Sequence, residues 1–217
     1  MLELKGRKPL FVGGTRYCYI HPDYEDRMVK VLQPHRTGPA RKIKIRSWKR
    51  ILPPGFFDDQ LKEIKAYNAL LRQNNPALWR HIPKYYGTID TDMGVGIVTR
   101  LCRNADGSWP SNLEQALPSG LSPELSAGIE EFVDWVGQEI VLTRDLLPHN
   151  IIAVRESDNS FCLLVVDGIG NSELIPISSW FRFFGRQKVA RKIAKFRYRS
   201  SILMPEADRQ GVYLCSS

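Results

Sequence analysis

The stretch Val141–Asn171, VLTRDLLPHNIIAVRESDNSFCLLVVDGIGN, decides how the chain is read. Thr143 to Asn150 is too irregular for a helix, because Pro148 removes a backbone donor and crowds the turn before it. Two apolar runs follow, Ile151–Val154 and Phe161–Val166, separated by the turn-forming Ser157-Asp158-Asn159-Ser160. Asp167-Gly168 ends the second run. The pattern predicts a loop, an antiparallel hairpin and a second loop. Antiparallel pairing would set the Asn150 end of the first strand beside the Asp167 end of the second, so that Asp145, Asn150 and Asp167 converge.

Convergent oxygen donors of that kind suit a hard cation carrying phosphate. Magnesium takes one or two carboxylates, keeps several waters and completes its shell with phosphate oxygens. The spacing resembles the protein-kinase catalytic loop H-R-D-L-x-x-x-N followed by D-F-G. In that pattern the first Asp accepts the proton of the acceptor hydroxyl, while the Asn and the second Asp hold metal. Asp145 would then be the base, with Asn150 and Asp167 as metal ligands. The chain departs from the pattern at Thr143, which replaces the His, at Leu147, where protein kinases often carry a Lys, and at Gly168-Ile169-Gly170.

Upstream residues extend the same order. Leu10-Phe11-Val12 and Tyr17-Cys18-Tyr19-Ile20 read as strands around Gly13-Gly14, a turn whose backbone N–H groups can approach a phosphate closely. Met28-Val29-Lys30-Val31-Leu32 forms a third strand, in which Lys30 must reach solvent or find a partner. Asp58 or Asp59 can cap a helix whose apolar positions Leu61, Ile64, Leu70 and Leu71 fit its period, with Tyr67 available on a neighbouring line. Glu63 is the only acid between Gln60 and Gln73, and pairing with Lys30 would align that Lys on nucleotide phosphates. Residues 85–89 and 95–99 read as two more paired strands, which gives a five-strand, one-helix lobe. After a polar exit at residues 100–107, Leu113–Leu117 reads as a short helix. Ser122-Pro123-Glu124 then starts a long one through Leu125, Ile129, Phe132, Val133, Val136 and Ile140.

The segments GGTRYCYIHPDYEDRMVKVL, EIKAYNAL, IVTRLCRNADGS and VVDGIGNSELIPISSWF resemble the bacterial YrbL family, named for the PhoP regulatory network. The resemblance covers nearly the whole chain and is most specific in R-x-C-Y-x-H-P and D-G-x-G. It implies an α+β, two-lobed protein-kinase-like fold with a reduced, mainly helical C-terminal lobe. The lobes are expected at residues 1–99 and 111–217, with a hinge at 100–110. Only 50 residues follow Asp167, too few for the several helices with which a eukaryotic-type protein kinase docks peptides.

Composition bounds the partners. The 217 residues carry a formal charge of +8, which favours anionic partners. The excess concentrates in Arg41–Arg50 and Arg182–Arg199. The first stretch, interleaved with Ile43, Ile45, Trp48 and Ile51, reads as a contact for nucleic acid or membrane, or as a solvated insertion. The second reads as a final basic helix, docked on its lobe or resting on an anionic membrane surface or other polyanion. Gly185 is a candidate kink in it, and Pro205 onward reads as an irregular tail. No apolar run reaches the ~18 residues of a membrane span, and the N-terminus lacks the apolar core of a signal peptide. The expectation is a cytoplasmic protein, peripheral at the membrane if the basic helix binds there. Cys18, Cys102, Cys162 and Cys215 are widely spaced and are expected to be reduced, mostly buried thiols.

Together these readings point to a phosphotransferase dependent on ATP and on magnesium or manganese, acting on a hydroxyl acceptor. Gly13, Gly14 and Lys30 would bind nucleotide, Glu63 would orient Lys30, and Asp145 would be the base. A nucleotide-binding module of pseudokinase type and a basic protein binding nucleic acid or membrane are the alternatives.

Overall fold

A computed structural model describes residues 1–36, 58–139, 146–169 and 182–212. The described chain falls into two compact units, one of residues 1–73 and 84–101, the other of residues 74–83 and 102–217. The short 74–83 segment thus belongs with the second unit, although in sequence it lies between a helix and a strand of the first.

The first unit is a five-stranded antiparallel sheet with one helix. Its strands are β1 (Phe11–Val12), β2 (Arg16–His21), β3 (Tyr24–Leu32), β4 (Tyr85–Thr91) and β5 (Gly94–Arg100), ordered β1-β2-β3-β5-β4. Side chains alternate between faces along each strand. One face therefore carries Tyr19, Val29, Val31 and Val98, which pack with Leu4 into a buried cluster bordered by Leu2, Tyr17, Ile89 and Met93. The N-terminal segment is held there by Asp92, whose carboxylate accepts the N–H of Leu4 at 2.7 Å and of Lys5 at 3.0 Å.

The other face carries Arg16, Cys18, Lys30, Ile97 and Thr99, as the registers Cys18↔Lys30, Lys30↔Ile97 and Met28↔Thr99 require. Helix α1 (Asp59–Arg72) packs on this face. Asp58 caps it, accepting the N–H groups of Gln60 at 2.9 Å and Leu61 at 3.1 Å. Its buried residues are Gln60, Glu63, Ala66 and Tyr67, and this corrects the face marked by the apolar spacing. Leu61 and Leu71 are 41% and 51% exposed. Polar anchoring decides the orientation. Gln60 Nε2 donates to the carbonyls of Lys30 and Val95, both at 2.9 Å; Glu63 pairs with Arg16; and Tyr67 stacks on Tyr85 with centroids 4.5 Å apart. Those contacts turn the leucines outward.

The second unit holds a three-stranded sheet and most of the helix. Its strands are β6 (Ser111–Asn112), β7 (Ile151–Arg155) and β8 (Phe161–Val165), in that order. Its helices are α2 (Leu113–Ala116), α3 (Pro123–Glu139), α4 (Arg182–Leu203) and α5 (Glu206–Val212). The 74–83 segment includes a 3-10 turn at Pro76–Trp79 capped by Asn75. Leu125, Ile129, Phe132, Val133 and Val136 of α3 are buried as their spacing predicts, and Ser122 Oγ accepts the N–H of Leu125 at 3.2 Å. Ile140 lies outside the described residues. Trp135 Nε1 donates to the carbonyl of Ala77 at 2.6 Å. Buried His81 accepts Val165 N–H through its carbonyl, and its Nδ1 lies 2.7 Å from the carbonyl of Leu163.

Helix α4 runs unbroken past Gly185. It buries Val189 and Phe196, and Arg197 forks onto Glu130 of α3 through two 2.6 Å bonds. The described residues beyond Pro205 are helical rather than irregular, against expectation. Residues 206–212 form α5, with Asp208 accepting Leu121 N–H at 2.9 Å and Arg209 Nε donating to the carbonyl of Met204 at 3.0 Å. Cys18, Cys102 and Cys162 are free thiols, half-buried rather than buried. Burial pushes the Cys162 thiol up to about 11.

Candidate functional site

The hairpin that carries two of the candidate ligands forms in the expected register. Ile151 faces Val165, and Arg155 faces Phe161. Asn159 at the turn takes a φ of 67°, a left-handed conformation that Asn tolerates better than most residues. Asp158 Oδ1 accepts both N–H and Oγ–H of Ser160, at 3.0 and 2.6 Å. Pro148–Asn150 coils into a 3-10 turn, with Pro148 in it and Leu146 before it buried.

The pairing extends one step past the strands, since Val166 N–H donates to the carbonyl of Asn150 at 2.9 Å. Asp167 therefore leaves the sheet next to Asn150. Its Oδ1 accepts the N–H of Gly168 at 2.7 Å, and Gly168 has a φ of 79°. A residue with a Cβ would be strained there. Asn150 and Asp167 are both half-buried. A neutral amide oxygen and a carboxylate at adjoining strand ends form an all-oxygen donor pair, which fits magnesium or manganese better than a softer metal. Asp145, the candidate base, lies outside the described residues, as do Thr143 and the basic stretch Arg41–Arg50.

The first unit carries the remaining candidates. Lys30 is 3% exposed, engaged within the fold, and projects from β3 toward α1. Gln60 binds the carbonyl of Lys30, and Glu63, three residues on and 3% exposed, lies on the same helix face one turn away. The helix thus delivers Glu63 to the sheet face that carries Lys30. Gly13 and Gly14 are exposed between β1 and β2. Gly13 N–H donates to the carbonyl of Arg16 at 2.9 Å, and Gln33 Nε2 donates to the carbonyl of Gly13 at 2.8 Å. Neither glycine has a positive φ, and nothing lies within 4 Å of where a Cβ of Gly14 would stand. Open space over the backbone, rather than backbone conformation, is what these glycines supply.

Arg16 was missed in the sequence, where it reads as part of the turn. It is buried and pairs with Glu63. The available signal was alternation: Arg16 and Cys18 share a strand face, and that face meets the strand of Lys30.

On the basic helix, Arg186, Arg191 and Lys195 are exposed, as are Tyr198 and Ile202 near its end. No helix among the described residues is long and apolar enough to cross a membrane.

Two curated relatives match over 200 residues at 28% identity, YrbL of Escherichia coli and YrbL of Shigella flexneri. In each case the match covers 90% of this chain and 86% of the relative. Among solved structures, the chain is similar to the PknI kinase domain of Mycobacterium tuberculosis at 14% identity and a TM-score of 0.45, over 93% of this chain and 75% of that one. The family model for PhoP regulatory network protein YrbL matches residues 2–201. The chain belongs to that family.

Proposed function

We propose that the protein is a phosphotransferase that moves the γ-phosphate of ATP, with magnesium or manganese, onto a hydroxyl acceptor. The observation that carries this reading is the bond from Val166 N–H to the carbonyl of Asn150, which sets Asn150 and Asp167 at adjoining strand ends. An amide and a carboxylate so placed are the metal-holding pair of kinase chemistry. Bound there, the metal would neutralise charge on the phosphates. The glycine turn, Lys30 on β3 and Glu63 on the following helix supply the other recurring parts in the same chain order.

In this reading the exposed backbone at Gly13-Gly14 receives phosphate oxygens, and the Lys30 ammonium balances their charge. Glu63 fixes the position of Lys30. Asp145, five residues before Asn150, orients the acceptor hydroxyl and takes its proton. The acceptor is a small molecule, glycolipid or protein, and the exposed cations of α4 suit an acidic acceptor or an anionic membrane surface at a cytoplasmic location. Turnover of ATP by the purified protein with magnesium tests the proposal. Replacing Asp145 with Ala should lower that turnover by about 10²- to 10⁴-fold, the usual worth of a general base.

Thr143 and Leu147 favour one second reading, a nucleotide-binding regulatory module, because they stand where kinases place a His and often a Lys. ATP binding without turnover across a broad acceptor panel would select it.

A further inference from the structure

Arg16 is a buried charge that the phosphotransferase reading leaves unused. It opens β2 two residues after Gly14, and its carbonyl closes the glycine turn by accepting Gly13 N–H at 2.9 Å. It is 6% exposed, and its guanidinium pairs with Glu63 of α1. One residue therefore holds the turn with its main chain and the helix with its guanidinium. Register places Arg16 opposite Leu32 and Cys18 opposite Lys30. Arg16 and Lys30 are thus diagonal neighbours on one face, roughly 7–8 Å apart for such positions. Glu63 lies on the helix that covers them.

A buried ion pair is a poor choice for adhesion alone, since apolar residues of similar volume usually stabilise at least as well. Its value lies in direction, because a guanidinium fork fixes the geometry of a carboxylate as a flexible ammonium does not. We propose that Arg16 is a positioning residue which, through Glu63, couples the glycine turn to α1, so that the turn takes up nucleotide phosphates only with the helix docked. This inference rests on the proposed phosphotransferase function and adds a residue to its nucleotide site.

The test is magnesium-ATP affinity, measured by calorimetry on the full chain. The variants are Arg16→Met, Arg16→Lys, Glu63→Gln and the double variant Arg16→Met/Glu63→Gln. Urea unfolding without nucleotide is followed in parallel. Each of the Arg16→Met and Glu63→Gln variants should weaken ATP binding about tenfold, while the double variant should be less than about twofold weaker than either, as expected for residues acting as one unit. Arg16→Lys should recover part of the loss. Where a single variant unfolds because it changes the net charge of the buried group, the double variant, which restores that net charge, provides the folded comparison with the parent. Full ATP affinity in folded Arg16→Met or in the double variant, or losses that simply multiply, would overturn this inference and leave the phosphotransferase reading standing. A parent protein that bound no magnesium-ATP would overturn both.

Discussion

The carbonyl of Asn150 accepts the backbone N–H of Val166 at 2.9 Å, one step beyond the last paired residues of the β7–β8 hairpin. That bond makes neighbours of Asn150 and Asp167, which are 17 residues apart in sequence. Backbone pairing therefore brings the two residues to adjoining strand ends. Asn150→Ala should leave the hairpin intact, because the bond uses the main chain, and should selectively weaken metal-dependent nucleotide binding. Circular dichroism together with calorimetric titration of magnesium-ATP checks both halves.

Gln60 ties α1 to the sheet through the carbonyls of Lys30 and Val95. Gln60→Ala should destabilise the protein by about 1–3 kcal/mol, since it strands hydrogen-bonding groups that Gln60 now satisfies. Gln60→Glu should cost more, because a carboxylate cannot donate to either carbonyl. Urea unfolding of the two variants gives the ranking. Equal stability of Gln60→Ala and parent would show that the helix is held by other contacts.

Gly128 and Gly137 make a matched pair on α3. A Cβ on Gly128 would run into the carbonyl oxygen of Phe161 on β8, well inside van der Waals contact, whereas one on Gly137 would meet Ile193 Cδ1 at an ordinary 3.8 Å. Gly128→Ala should lose about 1–3 kcal/mol from forced separation of helix and sheet. Gly137→Ala should gain up to about 1 kcal/mol from helix propensity. Thermal unfolding of the two variants should move in opposite directions.

His81 sets an acid limit on stability. Burial lowers its affinity for protons below that of an ordinary imidazole, despite the Leu163 carbonyl and Glu131, which favour the charged form; Arg80 opposes it as well. The folded pKa lies below the unfolded one, so the unfolded chain binds more protons between the two values. The contribution of His81 is therefore full above the unfolded value of about 6.5 and is lost as pH falls toward and through the folded value. His81→Gln should show a smaller drop in unfolding free energy than the parent between about pH 7 and pH 5, a difference that cancels the carboxylates common to both proteins.

The hairpin and the five strands of the first unit were legible as apolar runs between turn residues, and α3 as apolar residues at helical spacing. Ile151 and Ala153 alternate inward on β7, and Leu125, Ile129, Phe132 and Val136 return at helical spacing on α3. Helix α1 misled for a physical reason. Its sheet-facing side is chosen by Gln60 and Glu63, two polar residues with buried partners, and hydrophobic spacing pointed instead to Leu61 and Leu71. Strand β6 is two polar residues, Ser111 and Asn112, with no pattern of their own; only β7 makes them a strand. Arg16 escaped notice because an Arg beside a glycine turn ordinarily reads as solvated, and its burial depends on an acid 47 residues away. Helix α5 escaped because Asp208 serves the backbone N–H of Leu121, 87 residues away in sequence.

The most direct test of the phosphotransferase account is calorimetric titration of ATP, with and without magnesium, into the parent, Asp167→Ala and Asp145→Ala. Asp167 is assigned to hold metal against the phosphates and Asp145 to handle the acceptor proton, so the two substitutions should separate. The account predicts magnesium-dependent binding by the parent, its loss in Asp167→Ala, and near-parent affinity in Asp145→Ala. Magnesium-ATP bound as tightly by Asp167→Ala as by the parent, or no magnesium-dependent binding by the parent at all, would contradict it.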